Sequence, residues 1–94
     1  MIAYIAGKIT GDKNYKRKFE TAQKRLEKRG FIVLNPAILP EGMKKSKYLP
    51  ICFSMIDAAD VVVFLNDWKY SEGAWIERNY SLYQNKGVVY LKDI

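Results

Sequence analysis

No histidine occurs among the 94 residues, and that absence narrows the chemistry at once. Ser-His-Asp and Cys-His nucleophile pairs are excluded, and the usual zinc ligand is missing. Acid–base or nucleophilic work must therefore fall to carboxylates, Lys, Tyr or the single cysteine, Cys52. The densest group of usable side chains runs from Asn66 to Glu77. Within it, Gly73 and Glu77 are spaced to share one face of a helix, and glycine leaves that face open in front of the carboxylate. Ser71 stands where the helix would begin, and a hydroxyl beside free backbone N–H groups suits a phosphate. The plainer alternative is that Ser71 only caps the helix and Glu77 pairs with a base such as Arg78. Trp68 and Tyr70 could stack on a base, or could equally roof the end of a sheet.

A second group is Gly7-Lys8-Ile9-Thr10-Gly11. Its glycine spacing is neither the dinucleotide fingerprint nor a P-loop. It could offer backbone N–H groups and the Lys8 ammonium to an anion, or be an ordinary turn. Cys52, on an apolar helix face with Ile51, Met55 and Ile56, reads as packing rather than nucleophile.

Positioning these groups falls to alternating strands and helices. Residues 1–6 and Phe31-Ile32-Val33-Leu34 are short apolar runs suited to strands buried on both faces. Between them Tyr15, Phe19, Ala22 and Leu26 recur at helical spacing, and Gly30 ends the helix with Lys28 and Arg29 in its last turn. Asn35-Pro36 closes the second strand. A looser segment, the part expected to be most mobile, spans Ala37 to about Lys47. A second helix is expected over Tyr48–Ala59, with Pro50 in its first turn. Val61–Leu65 is the strongest strand signal. A third helix follows from Ser71 to about Asn85, and Val88–Leu91 supplies a fourth strand. Such a β-α-β-α-β-α-β order predicts an α/β fold with a parallel four-stranded sheet, right-handed crossovers and helices on both faces. Ligands then bind beyond the carboxyl ends of the strands, in the loops after Ala6, Leu34 and Leu65.

The chain is short enough for one domain covering residues 1–94. Its 28% charged and 49% hydrophobic residues are those of a globular protein. No apolar run approaches a membrane span, and no charged-then-apolar leader opens the sequence. A single cysteine fits a reducing, cytoplasmic setting. Of the net charge of +6, five come from the segment Asp12–Arg29. So local an excess suggests a solvated helix surface, and nucleic-acid binding through that helix ranks lowest among the functional readings.

Taken in order, Tyr4-Ile5-Ala6-Gly7, a helix, Asn35-Pro36, Ala59-Asp60-Val61-Val62 and Ser71-x-Gly73-Ala74-x-x-Glu77 resemble the nucleoside 2-deoxyribosyltransferase-like superfamily. The nearest likeness is to its small bacterial and phage branch, a DUF4406-like domain of unknown function. The resemblance implies a flavodoxin- or Rossmann-like three-layer sandwich with strand order 2-1-3-4, in a homodimer or larger homo-oligomer. It implies action on the N-glycosidic bond of a nucleoside or nucleotide, as a transferase or hydrolase, with no cofactor or metal. Glu77 matches the glutamate that attacks the anomeric carbon, and Tyr4 matches the tyrosine that bonds that carboxylate. Ser71 matches the phosphate-holding serine of the relatives that hydrolyse nucleoside monophosphates. Gly7, Lys8, Ser71 and Gly73 would line the sugar or phosphate pocket, with Trp68 stacking. One position departs: an aspartate often stands where this chain has Cys52. That departure keeps open a catalytically weak module that binds or sequesters a nucleotide.

Overall fold

The computed structural model describes residues 1–94. Four parallel strands, β1 (Ile2–Ala6), β2 (Ile32–Leu34), β3 (Val61–Phe64) and β4 (Gly87–Tyr90), form one sheet in the order β2-β1-β3-β4. Three helices connect them: α1 (Tyr15–Lys28), α2 (Lys45–Ala58) and α3 (Glu72–Tyr83). Strand β1 is central, with Tyr4 in register with Leu34 on one side and Val62 on the other.

The alternation of side chains along the strands divides the core in two. Ala3 and Ile5 of β1 and Val61 and Val63 of β3 face α1, meeting Phe19, Ala22 and Leu26. Tyr4, Ala6, Val62 and Phe64 point the other way, toward Cys52 and Ile56 of α2 and Ala74 of α3. The sheet is thus covered on both faces, which is why its central strands read as unbroken apolar runs.

Local chemistry accounts for most of the boundaries. Helix α1 ends in a Schellman motif: Gly30 takes φ +90°, its N–H donates to the Glu27 carbonyl at 3.0 Å, and the Phe31 N–H donates to Leu26 at 3.2 Å. Helix α3 ends at Tyr83, two residues before the expected Asn85, because Asn85 adopts a left-handed φ of 58°. Helix α2 begins at Lys45, not Tyr48, so Pro50 lies inside the helix rather than in its first turn. No apolar residue of that extra turn is buried, so periodicity could not register it. The segment before it carries local structure of its own. A short 3-10 turn spans Pro36–Ile38, and the Tyr48 hydroxyl donates to the Pro40 carbonyl at 2.6 Å while accepting from the Met43 N–H at 3.2 Å.

The order β2-β1-β3-β4 reverses between β1 and β3, so the loops after Ala6 and Phe64 flank the topological switch point. Gly7 sets how closely they approach. A Cβ at Gly7 would lie 2.8 Å from Leu65 Cδ1 and 2.9 Å from Leu65 Cβ, too close for the leucine to rotate clear. Gly7→Ala is therefore expected to destabilise the fold by about 1–3 kcal/mol, the usual cost of overpacking. Urea unfolding measures it, and an unchanged midpoint would mean that the two loops are not in contact.

Candidate active site

The structure brings Tyr4 and Glu77 together although they lie at opposite ends of the chain. Tyr4 sits mid-strand on β1 with its side chain toward α3, and its hydroxyl donates a hydrogen bond to Glu77 Oε2. Glu77 lies on the inward face of α3 with Ala74 and Ser81. Tyr4 is fully buried, and Glu77 is only 8% exposed. The Cys52 thiol of α2, also buried, lies beside both groups.

Burial dominates the electrostatics of this trio. Loss of water raises the Glu77 carboxyl to about 7, against the opposing pull of the Tyr4 hydrogen bond and the neighbouring thiol. Burial, and then the charge on Glu77, hold the Tyr4 phenol well above its ordinary range. Burial also lifts the Cys52 thiol to about 11, so at neutral pH it keeps its proton and is no nucleophile. The outcome is one carboxyl that titrates near neutrality between two groups that do not.

The remaining candidates occupy the rim. Ser71 caps α3, its Oγ accepting from the Ala74 N–H at 3.1 Å. Gly73 lies exposed in the first turn, where a Cβ would meet nothing nearer than Ser71 Oγ at 3.9 Å. Packing does not demand glycine there, so its effect is to leave the helix entrance open. Lys8 belongs to a different cluster: its backbone N–H donates to Asp67 Oδ1 at 3.1 Å. Lys18 of α1 donates to the Lys8 carbonyl at 2.8 Å and to Asp12 at 2.5 Å, and also pairs with Asp67. The amide expected to be free for an anion is thus already taken, and Lys18 is turned into the fold rather than solvated. Trp68 is buried among Phe64, Trp75 and Tyr90, with the Arg78 guanidinium 5.3 Å from its ring centre. It roofs the sheet end. The aromatic surface left open there belongs to Tyr70 and Trp75, which are 78% and 42% exposed.

Spacing alone read Cys52 as packing, and only the resemblance, which puts an aspartate at its position, tied it to the site. Sequence reasoning missed Asp67 and Lys18, which tie the loop after β1 to the loop after β3. Neither has a periodic signal, since the cluster is assembled from separate segments. Asp57, the nearest acid on α2 to the position of Cys52, is exposed and accepts from the Tyr80 hydroxyl at 2.7 Å. No group of three or more Cys, Asp or Glu side chains is arranged to hold a metal.

Residues 1–90 match the model of a family described as a domain of unknown function, DUF4406. The chain belongs to that family. No curated protein matches the DUF4406 chain. Among solved structures, a 2-desoxiribosyltransferase from Leishmania mexicana superposes with a TM-score of 0.75 at 16% identity. That match covers 95% of this chain but 62% of the other, so the domain spans less than two thirds of that protein. At such low identity the likeness establishes the fold, a nucleoside deoxyribosyltransferase-like α/β sandwich.

A sign follows for stability against pH. An unfolded glutamate ionises near 4.5, whereas Glu77 in the fold holds its proton to about 7. Between those values the native state binds more protons, so this group makes the fold less stable as pH rises, and the loss is complete above about 7. Relative to Glu77→Gln, the parent should lose on the order of 3 kcal/mol between pH 4.5 and 7. Urea unfolding of the two proteins across that range checks it; parallel pH profiles would show that Glu77 titrates normally.

Proposed function

We propose that this domain cleaves or exchanges the N-glycosidic bond of a nucleoside or nucleoside monophosphate, with Glu77 as nucleophile. The observation that carries the reading is the buried Tyr4–Glu77 hydrogen bond, which aims one carboxylate oxygen and leaves the other for a substrate. Likeness in fold to a 2-desoxiribosyltransferase adds support.

A retaining displacement needs one carboxylate and one proton source. The Glu77 carboxylate attacks the anomeric carbon, the bond to the base breaks, and the base leaves with the electron pair and takes up a proton from water. The sugar is then held as an ester on Glu77. Water or a second base attacks the same carbon and releases the carboxylate, giving hydrolysis or transfer respectively. Tyr4 fixes the carboxylate through the first step. In this reading the open turn at Gly73 admits the sugar, and Ser71, at the start of α3, meets a 5′-phosphate.

A second reading rests on Cys52. A thiol held near 11 is a poor acid for protonating a leaving base, which favours a module that binds a nucleotide and turns it over slowly or not at all. Saturable binding without base release would support it, and Cys52→Asp should then gain cleavage.

Incubation with ribo- and deoxyribonucleosides and their monophosphates, followed by chromatography of released base, tests the first reading. Release should vanish in Glu77→Ala. Tyr4→Phe, which removes a hydrogen bond to a charged group worth about 1.5–3 kcal/mol, should slow it by about 10- to 100-fold. Because attack needs the ionised carboxyl, kcat/KM should rise with pH through about 7. Release by Glu77→Ala at the parent's rate would remove the glutamate from the mechanism.

A further inference from the structure

Arg78 is a half-buried cation without an anion. From α3 it reaches the end of β4, where its Nε–H donates to the Tyr90 hydroxyl at 3.1 Å. Its guanidinium stands 5.3 Å from the Trp68 ring centre and 6.0 Å from that of Trp75. One hydroxyl and two indoles hold the group in place, and none of them carries charge. Lys69 Nζ lies 5.9 Å from the same Trp68 ring. Two positive charges thus stand beside one indole, yet neither belongs to any of the four ion pairs in the structure. The nearby acids do not answer them: Asp67 is taken by Lys18, and Glu72 is exposed and unpaired.

What this cluster leaves over is a set of donors. With Nε committed to Tyr90, the two Nη groups of Arg78 form a fork that meets no protein acceptor. No side-chain nitrogen of the chain is both buried and unbonded, so the fork reaches solvent. The Tyr90 hydroxyl accepts from Arg78, and its own proton meets no acceptor. Lys69 adds an ammonium on an exposed stem. Donors without acceptors suit a ligand rich in acceptor oxygens. A fork of two N–H groups matches two oxygens of a carboxylate or of a phosphate. Two cations and a hydroxyl match the double charge and third oxygen of a phosphoryl group, whereas a carboxylate leaves one charge unmet.

A flat surface adjoins the donors. The Trp75 indole is fixed by its Nε1–H, which donates to the Lys69 carbonyl at 3.0 Å, and it remains 42% exposed. An indole held still offers its face to a ring carried by the phosphate. The cluster is also separate from the buried carboxyl. Glu77 bonds Tyr4 on β1, whereas Arg78, the next residue round the helix, bonds Tyr90 on β4, and β3 lies between those strands.

We infer that Arg78, Lys69 and Tyr90 form a binding site for a phosphate monoester on the β4 side of α3. The inference is independent of the chemistry assigned to Glu77, and its test needs no turnover. Both tryptophans of the chain line this site, so intrinsic fluorescence reports on it directly. The probes are phenyl phosphate, inorganic phosphate and benzoate. They are titrated at constant ionic strength and at about pH 8, above the second phosphate pKa of about 6. Phenyl phosphate should saturate with a Kd of about 1 mM or lower. Equal or tighter binding of inorganic phosphate assigns the site to the phosphoryl group alone; weaker binding assigns it to an ester that also uses the Trp75 face. Arg78→Lys keeps the charge but not the fork, and should weaken binding about 10- to 100-fold, as expected for hydrogen bonds to a charged group. Lys69→Met should also weaken it, and Glu77→Gln should bind as the parent does. No saturable signal with either phosphate, or tighter binding of benzoate, would overturn the inference. So would parent affinity in a folded Arg78→Lys, or loss of binding in Glu77→Gln, which would place the phosphate in the carboxyl pocket. Should Arg78→Lys fail to fold, Lys69→Met, at an exposed position, decides: parent affinity there overturns the proposal.

Discussion

A carboxyl group held out of water between β1 and α3 is the costliest feature of this small fold, and much of the arrangement follows from it. An ionised carboxylate with no partner would not be tolerated there, since taking it out of water costs several kcal/mol. The Tyr4 hydroxyl supplies that partner from the central strand. For the two to meet, Tyr4 must point to the α3 face, which places Ala3 and Ile5 toward α1. Helix α3 must in turn be rolled so that Glu77, Ala74 and Ser81 face inward. The same roll exposes Trp75, Ile76, Leu82 and Tyr83 on the far side. A buried carboxyl group and an apolar outer face are thus two consequences of one orientation.

The elements most legible in the sequence were those whose signal is local. Apolar runs marked β1 and β3, the Tyr15-Phe19-Ala22-Leu26 spacing marked α1, and Gly30 marked its end. The parallel sheet followed from the alternation of elements, and the order 2-1-3-4 from the family resemblance. Less legible was anything set by distant partners. The first turn of α2 buries no apolar side chain, so the helix was expected to start at Tyr48. The 37–47 segment is held by the Tyr48 hydroxyl, a contact without periodicity.

The pairing of Tyr4 with Glu77 was legible through the resemblance, whereas the ties among the loops around it were not. Glu77 and Tyr4 were picked out by resemblance; spacing alone left Glu77 open to an ordinary ion pair. Cys52 looked like packing because it is apolar in company and single in number, and it is indeed buried. Its contact with the carboxylate depends on how α2 lies across the sheet, which no local pattern encodes. Lys18 shows the opposite error. Its charge suggested a solvated surface, whereas Asp12 and Asp67 draw it inward and tie the loops at the switch point together.

These features converge on the protonation state of one side chain. Burial should hold the Glu77 proton to near-neutral pH, and the Tyr4 hydrogen bond limits how far that shift goes. The most direct measurement is a pH titration of the Glu77 side-chain carboxyl by carbon NMR, in the parent and in Tyr4→Phe. The account predicts a midpoint near 7 in the parent and a higher one once the phenol is gone. A midpoint at the ordinary glutamate value, indifferent to Tyr4, would contradict it.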